Sequence, residues 1–242
     1  MTLGLALGGG AAYGAAHLGV LQVLAERRIR PALVTGTSAG ALVGAAYAGG
    51  LSLRTIERLI LSADWSTFGR LSLSPRLGLL DTSALAETIA ELGGSPRVEE
   101  LPRRFAAVTT DLVARREVVL ATGPLADALR ASIAVPGLFP PVRVGGRLLV
   151  DGGLVANLPI RAARELGADH VIGVRLRPEW DRLPFIPSST RIAAMERASS
   201  TTMIRPAVDG MSQWSRADLS RLIAEGRRAA AEALDAVARD AA

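Results

Sequence analysis

Ser38, in the pentapeptide GTSAG of residues 36–40, is the side chain with the clearest chemical potential in this sequence. A G-x-S-x-G pattern is typical of a serine on a sharp strand-to-helix turn, from which the hydroxyl can attack a carbonyl carbon. Gly36 and Gly40 permit the turn and the close approach of strand to helix. The start of the helix would also favour a developing negative charge. The alternative is a serine that only caps an ordinary helix.

A serine nucleophile needs a general base, and the sequence offers only two histidines, His17 and His170. His17 lies one turn into the first predicted helix, where we expect it to pack or to bond locally. The chain order Ser38, Asp151, His170 matches that of an α/β-hydrolase triad. In that fold, however, the histidine lies on a late loop, whereas His170 opens a predicted strand. Neither histidine is therefore a convincing base.

Asp151 is the remaining candidate base, and it stands in the turn formed with Gly152 and Gly153. The ordinary pKa of an aspartate is about 3.9, so it is a weak base toward a serine hydroxyl unless burial raises that pKa. Taken alone, this motif is more typical of an aspartate that caps its own turn. Together with Ser38 and the scarcity of histidine, it favours a hydrolase that works with a Ser38–Asp151 dyad.

A run of glycines, Gly8, Gly9 and Gly10, connects the first predicted strand to the first predicted helix. Acyl transfer requires N–H donors about 3 Å from the oxyanion, and glycine lets the backbone approach that closely. The loop from Gly8 to Gly14 could therefore present backbone N–H groups to an oxyanion.

Other functions of this loop have weaker support. Gly8 and Gly10 fit the first two glycines of the dinucleotide-binding pattern G-x-G-x-x-G, but Tyr13 falls where the third glycine belongs. A phosphate-binding Walker loop needs a lysine, and the chain has none. A plain tight turn remains open as an alternative.

The composition suits a globular protein and excludes several kinds of site. Of the 242 residues, 49% are hydrophobic, which is enough for a full core. The absence of cysteine excludes disulfides and thiolate ligands, and no H-E-x-x-H or carboxylate cluster suggests a metal, so we expect no metal and no other cofactor. The net charge is +5 and all 28 basic residues are arginine, but they are scattered in runs of at most two, so we expect no nucleic-acid partner.

The sequence does not predict a membrane-spanning segment. No stretch reaches roughly 18 uninterrupted apolar residues, and no basic region precedes the first apolar run. We therefore expect a soluble, cytoplasmic protein, with peripheral contact at a membrane surface as a further hypothesis. The segments 64–79 and 178–187 each carry a tryptophan and a phenylalanine and are candidates for an apolar rim that docks on a membrane or accepts acyl chains. Ordinary packed loops are the alternative.

The elements that must position these residues alternate between strands and helices. The apolar patterns predict strands over 3–7, 32–35, 105–110, 117–121, 147–150 and 170–176. They predict helices over 14–28, 39–48, 53–63, 82–92, 125–132, 159–166 and 217–239. The alternation indicates an α/β protein with three layers, α/β/α, and a mainly parallel central sheet.

Four segments in this order resemble the patatin-like phospholipase family. Residues 8–21 (GGGAAYGAAHLGVL) are similar to its oxyanion loop and first helix, and residues 36–40 (GTSAG) to its nucleophile turn. Residues 129–142 (LRASIAVPGLFPPV) are similar to the segment that leads toward the catalytic aspartate, and residues 149–159 (LVDGGLVANLP) to its D-G-G/A motif. The resemblance covers roughly residues 3–176.

The resemblance implies a Ser-Asp dyad on a three-layer α/β fold that hydrolyses lipid acyl esters without a metal. Ser38 would be the nucleophile and Asp151 the base, and the N–H groups around Gly9, Gly10 and Ala11 would form the oxyanion hole. His17 occupies a position that is often histidine in bacterial relatives and is not catalytic there. We expect one domain over residues 1–242, with its catalytic core at about 3–176 and a helical C-terminal region at about 188–240.

Two residues depart from the family pattern. Ala11 stands where the family usually has a fourth glycine, and alanine keeps the N–H group but restricts the backbone. Tyr13 stands where the family usually has arginine or lysine, which removes a cation beside the oxyanion loop. We therefore hypothesise an altered head-group preference or a reduced rate.

Several functional alternatives remain at this stage. The same dyad could serve an acyltransferase with an acceptor other than water. An impaired oxyanion loop would leave a lipid-binding or regulatory protein without turnover. A dinucleotide-dependent oxidoreductase has the weakest support, and the sequence does not determine the oligomeric state.

Overall fold

A computed structural model of the chain describes residues 1–62, 70–71, 80–81, 96–176, 189–212 and 214–240. The strands are β1 (Leu3–Leu7), β2 (Leu33–Thr37), β3 (Arg70–Leu71), β4 (Leu80–Asp81), β5 (Arg104–Asp111), β6 (Arg116–Leu120), β7 (Val142–Val144), β8 (Arg147–Asp151), β9 (His170–Val174) and β10 (Thr201–Ile204). The helices are α1 (Ala15–Glu26), α2 (Ala39–Ala48), α3 (Leu53–Ser62), α4 (Leu125–Ser132), α5 (Ile160–Glu165), α6 (Ser189–Glu196) and α7 (Leu219–Asp240). The predicted helix 82–92, the segment 178–187 and most of the segment 64–79 lie outside the described residues.

The described strands form one large mixed sheet, with β3 and β4 as a separate antiparallel pair. β10, β9, β1, β2 and β5 lie side by side and run parallel. β6, β7 and β8 extend the sheet with antiparallel pairings around β5. The predicted α/β class and the mainly parallel core are thus confirmed, and the antiparallel strands make the whole sheet mixed.

Apolar side chains alternate between the two faces of the central strands and create two cores. On β1, Leu5 and Leu7 belong to the larger cluster, which also contains the buried faces of α1, α2 and α7. Ala6 points to the other face, where it packs in a smaller cluster with side chains of α5. A parallel sheet covered on both faces needs such nearly continuous apolar strands. Helices therefore cover both sides of the sheet, as the three-layer prediction requires.

Helix α7 covers α1, and two glycines set the distance between the helices. A Cβ added at Gly226 would lie 2.0 Å from the Ala16 carbonyl oxygen, and one added at Gly19 would lie 2.0 Å from the Ile223 carbonyl oxygen. Ion pairs such as Arg27–Asp235, at 2.7 Å, flank this contact. Within the described residues, the last helix therefore packs on α1 of its own chain.

Five elements were not predicted from the sequence: β3, β4, β7, β10 and α6. β7 has only three residues and directly follows the proline-rich loop of residues 136–141. β10 has four residues and depends on pairing with β9. Elements this short carry too few residues for apolar periodicity to reveal them, so tertiary pairing decides their conformation.

Candidate active site

Ser38 stands at the junction of β2 and α2, where the backbone makes the sharp turn that the pentapeptide predicts. It caps α2 with φ 53° and ψ −122°, a left-handed conformation that a non-glycine residue rarely adopts. A Cβ at Gly36 would lie 2.4 Å from the Gly40 carbonyl oxygen, and a Cβ at Gly40 would lie 2.2 Å from the Leu7 carbonyl oxygen. Side chains at these positions would therefore open the turn, and the surrounding packing holds Ser38 in a strained conformation.

Strand pairing brings Asp151 to the same place. β2 pairs with residues 104–108 of β5, and this pairing ends with Thr37 opposite Val108. β8 pairs with the next residues of β5, 109–111, and its last residue, Asp151, lies opposite Thr109. β6 pairs with both of these stretches, so it occupies the opposite edge of β5. β2 and β8 therefore meet end to end along one edge of β5. The residue after Thr37 is Ser38, and the last residue of β8 is Asp151.

The Asp151 carboxyl group is buried, with the residue 4% exposed, and is held by its own turn. Its Oδ1 accepts a 2.7 Å hydrogen bond from the Gly153 N–H group. Its backbone N–H donates to the Ala134 carbonyl at 2.9 Å, and its carbonyl accepts from Thr110 Oγ1 at 2.9 Å. A Cβ on Gly152 would lie 2.4 Å from a backbone oxygen of β5, which explains the glycine after the aspartate.

Burial raises the pKa of Asp151 to about 6, and the bond from Gly153 and the Ser38 side chain offset part of that rise. The Ser38 hydroxyl is thus close enough to favour the ionised carboxylate. Asp151 Oδ2 is nevertheless buried without a hydrogen bond of regular geometry within the described residues. Catalytic hydrogen bonds are often poorly aligned before substrate binds, so a bond of irregular geometry is compatible with a role of Asp151 as base. A carboxyl group with this pKa is a stronger base than an ordinary aspartate.

The glycine loop lies against Ser38, and its N–H groups differ in availability. A Cβ on Gly9 would lie 3.2 Å from the Ser38 Cβ. The Gly9 N–H donates to the Asn157 carbonyl at 3.0 Å, so this group is already engaged by the protein itself. The Gly10 and Ala11 N–H groups make no hydrogen bond within the described part of the chain. These two remain as candidate oxyanion donors.

Ala11 adopts φ 49°, the left-handed region that glycine occupies without strain. This conformation costs an L-residue roughly 1–2 kcal/mol. The departure from the family pattern noted in the sequence therefore has a structural consequence, because the loop keeps its N–H group but is strained where a glycine would not be.

His17 is hydrogen-bonded to the glycine loop and is not placed to act as a base. It is fully buried, and its Nε2 lies 2.8 Å from the Gly8 carbonyl oxygen. Desolvation lowers the pKa of His17 to about 4, so the ring is neutral near pH 7. Since a carbonyl only accepts, Nε2 carries the proton. The local bonding role predicted for this histidine is confirmed.

His170 lies at the opposite edge of the sheet from Ser38. It pairs with Leu3, at the start of β1, whereas Ser38 follows the carboxyl end of β2. The five residues from Leu3 to Leu7 alone span about 13 Å of strand. His170 Nε2 lies 2.9 Å from Thr202 Oγ1. A triad of Ser38, Asp151 and His170 is therefore excluded.

Ser132 is a component of the site that the sequence analysis missed. The Ser38 N–H group donates to Ser132 Oγ at 2.9 Å, and that hydroxyl donates to the Val108 carbonyl at 2.8 Å. Ser132 is fully buried and so ties the nucleophile turn to β5. Its position in the matched segment LRASIAVPGLFPPV was the available signal.

Asn157 also escaped notice, although it lies in the matched segment LVDGGLVANLP. Its carbonyl accepts the Gly9 N–H, and its side-chain Oδ1 would lie 2.6 Å from a Cβ on Gly9. A Cβ on Gly153 would lie 3.3 Å from the same oxygen. Asn157 therefore fills the space between the glycine loop and the aspartate turn.

Tyr13 lies in a buried environment. The residue is 8% exposed, and its hydroxyl donates to the Met211 carbonyl at 2.8 Å. The side chain thus links the loop to the C-terminal segment. An arginine at this position would bury a guanidinium, so the Tyr13→Arg replacement would test packing as much as head-group preference.

Two absences are established only for the described residues. Within them, no group of three or more His, Asp or Glu side chains is arranged to hold a metal ion. Likewise, none of the helices described is long and apolar enough to cross a membrane.

Known proteins share long segments with this chain. A family model for patatin-like phospholipase matches residues 5–164. An uncharacterized NTE family protein of Mycobacterium tuberculosis is 40% identical over 175 residues, which cover 71% of this chain and 48% of that protein. Patatin-like phospholipase domain-containing protein 6 of Mus musculus is 37% identical over 183 residues, which cover 72% of this chain and 13% of that protein. The chain spans about half the length of its mycobacterial relative.

Solved structures show the same fold. VipD from Legionella pneumophila superposes with a TM-score of 0.63 at 15% identity, over 97% of this chain and 67% of that chain. ExoU from Pseudomonas aeruginosa, in complex with SpcU, superposes with a TM-score of 0.54 at 15% identity, over 97% and 53%. At this identity the likeness concerns the fold alone. The match over residues 5–164 and the 40% identical relative place the chain in the patatin-like phospholipase family.

Proposed function

We propose that this chain is a serine hydrolase that cleaves acyl esters of lipids with a Ser38–Asp151 dyad. The observation that carries the proposal is the end-to-end meeting of β2 and β8 along β5, which sets the strained Ser38 beside a buried carboxyl group. Family membership supports lipid esters as the substrate class. The pKa of about 6 supports Asp151 as a base, because a carboxylate with that pKa is ionised at pH 7 and still accepts a proton.

The proposed reaction has two halves that share one intermediate. Asp151 accepts the Ser38 hydroxyl proton while Oγ forms a bond to the ester carbonyl carbon. The carbonyl oxygen becomes an oxyanion that accepts hydrogen bonds from the Gly10 and Ala11 N–H groups, and a single such donor is worth on the order of 10²–10³ in rate. The carbon–oxygen bond then breaks, and the departing alcohol takes the proton from Asp151.

The acyl group is now esterified to Ser38 and must be removed by water. Asp151 accepts a proton from the water, whose oxygen attacks the acyl carbon. When the second tetrahedral intermediate collapses, Ser38 Oγ recovers the proton and the fatty acid leaves. An acceptor alcohol in place of water would give acyl transfer with the same residues.

Intact-mass analysis with a fluorophosphonate probe tests the proposal directly. We expect one adduct on the wild type and none on Ser38→Ala, because only an activated serine attacks the probe. Ser200→Ala, a serine whose hydroxyl accepts from Arg164 away from the dyad, is the matched control and should label like the wild type.

A lipid ester panel with the same proteins then identifies the products. Release of fatty acid that depends on Ser38 supports the hydrolase, and product formation that requires an added alcohol indicates a transferase. No adduct on the wild type, together with retained lipid binding, would contradict the proposal and favour a lipid-binding protein without turnover.

A further inference from the structure

Two neighbouring hairpin tips project beyond the candidate active site. One is the β5–β6 turn, residues 112–115, and the other is the β7–β8 turn at Gly145 and Gly146. The hairpins are joined through β5 and β8, where the Leu112 N–H donates to the Leu148 carbonyl at 2.9 Å. We call residues 112–116 together with 143–147 the hairpin surface.

The tip of the first hairpin exposes aliphatic side chains to solvent. Val113 is 81% exposed and Leu112 is 41% exposed, although both belong to residue types that normally pack inside. The turn that presents them is well defined, because Asp111 Oδ1 accepts from the Val113 N–H at 3.0 Å and from the Ala114 N–H at 2.9 Å. The exposure therefore belongs to an ordered turn.

Four exposed arginines surround these apolar side chains. They are Arg115 and Arg116 on the first hairpin and Arg143 and Arg147 on the second. Within the described residues none of the four forms an ion pair or a side-chain hydrogen bond, whereas several arginines of α7 are paired with carboxylates.

The nearest acidic groups offset only part of the positive charge of the hairpin surface. Asp111 is 6% exposed, and its carboxylate accepts hydrogen bonds from the Val113 and Ala114 N–H groups of its own turn. These bonds, and then the charges of Arg147 and Arg116, lower the pKa of Asp111. Glu117 is directed to Arg161, at 2.8 Å. The surface therefore combines exposed aliphatic groups with a positive charge.

The hairpin surface stands on the same edge of the sheet as the dyad. Asp151 lies opposite Thr109, and β5 continues for two residues to Asp111, a rise of about 7 Å, before the turn that carries Val113. A flat surface that touched the tips would therefore face the carboxyl edge of the parallel strands, where Ser38 lies.

We propose that the hairpin surface docks the protein on an anionic lipid bilayer. The arginines contact lipid phosphates, and Val113 and Leu112 enter the headgroup region, a combination of apolar and cationic groups that favours binding to acidic membranes. This proposal rests on the proposed function and extends it, because docking through the hairpin surface would deliver ester lipids to Ser38. Single-stranded nucleic acid fits less well, since the tips carry no aromatic side chain on which a base could stack.

Vesicle flotation with the Ser38→Ala protein tests the docking without any hydrolysis. We expect binding to phosphatidylcholine vesicles that contain phosphatidylserine, weak binding to pure phosphatidylcholine, and loss of binding as salt is raised. Each arginine removed should weaken partitioning about fivefold, so Arg115→Gln with Arg143→Gln should weaken it about 25-fold. Val113→Ser should also weaken binding, but without changing its salt dependence.

The control is Arg30→Gln with Arg54→Gln, which removes the same charge from exposed arginines outside the hairpin surface. This control should bind vesicles like the parent protein, and thermal unfolding should show that all variants are folded. Equal binding by the hairpin variant and the control, or equal binding to both vesicle types, would overturn the proposal. The proposal would also be overturned if the hairpin variant still bound vesicles but no longer bound a single-stranded DNA probe. Fluorophosphonate labelling of the wild type decides the proposed function independently of these outcomes.

Discussion

Replacing Asp151 by asparagine should make the protein more stable at neutral pH while it removes the proposed base. Burial raises the pKa of Asp151 from 3.8 to about 6 in the folded protein, whereas the unfolded chain keeps the ordinary value. The folded state therefore holds the proton more tightly, and the ionised carboxylate opposes folding. At about 1.4 kcal/mol for each pH unit between the two pKa values, this penalty reaches about 3 kcal/mol.

The penalty has a defined pH window. Below pH 3.8 both states of the wild type are protonated and the penalty is absent, between that value and about 6 it grows, and at higher pH it is constant. An amide at position 151 carries no charge at any of these pH values and can still accept the Gly153 N–H. Asp151→Asn should therefore exceed the wild type in free energy of unfolding by up to about 3 kcal/mol at pH 8, and by little at pH 4.

Urea unfolding of both proteins across this pH range measures the difference. Asp209→Asn is the matched control, since that aspartate is exposed and has no hydrogen bond or ion pair within the described residues. Fluorophosphonate labelling of the wild type should rise with pH through about 6, where the base becomes ionised, and Asp151→Asn should not label. A stability difference that is the same at pH 4 and pH 8 would refute the burial argument, and wild-type labelling that does not change with pH would refute the role as base.

Three further changes test the neighbourhood of the site and the fold. Ser132→Ala should cost about 1–3 kcal/mol of stability and slow labelling, because it leaves the partly buried Ser38 N–H without its acceptor. Ser132→Thr should partly restore the rate, and full-rate labelling by the alanine variant would exclude a positioning role. Ala11→Gly should relieve left-handed strain and raise the melting temperature by a few degrees with labelling retained; lower stability would show that the strain is absent. Gly226→Ala should lower the free energy of unfolding by at least about 1–3 kcal/mol, because the added methyl group would meet the backbone of α1. The control Ala231→Gly, on the same helix, should lower it by only about 1 kcal/mol. Equal effects of the two replacements would contradict the close contact.

Most of the fold was predictable because its signals are local. The strands β1, β2, β5 and β9 are short apolar runs bounded by glycine or turn residues, and α1 and α2, which follow β1 and β2, are rich in apolar residues. Predicted and observed bounds of these elements differ by only a few residues. The elements that escaped prediction are β3, β4, β7, β10 and α6. The four strands among them have only two to four residues, so pairing with other strands decides their conformation.

The tertiary structure decided which groups near the serine are available. The Gly9 N–H donates to the Asn157 carbonyl, whereas the Gly10 and Ala11 N–H groups make no hydrogen bond within the described residues. The tertiary structure also placed Tyr13 in a buried contact with Met211. Neither outcome has a sequence signal, because a backbone N–H or a tyrosine hydroxyl bonds whichever acceptor the packing brings near.

The sequence by itself determined the turn around Ser38, since flanking glycines are needed wherever backbone would collide with a Cβ, and that need is visible in the pentapeptide. It also supplied Asp151 and its glycines as a candidate pair for the serine. Only the tertiary structure decided that the pair meets and that His170 stays away. The reason is strand register: β2 and β8 end at adjacent positions along β5, whereas the pairing of β9 with β1 carries His170 to the far edge of the sheet.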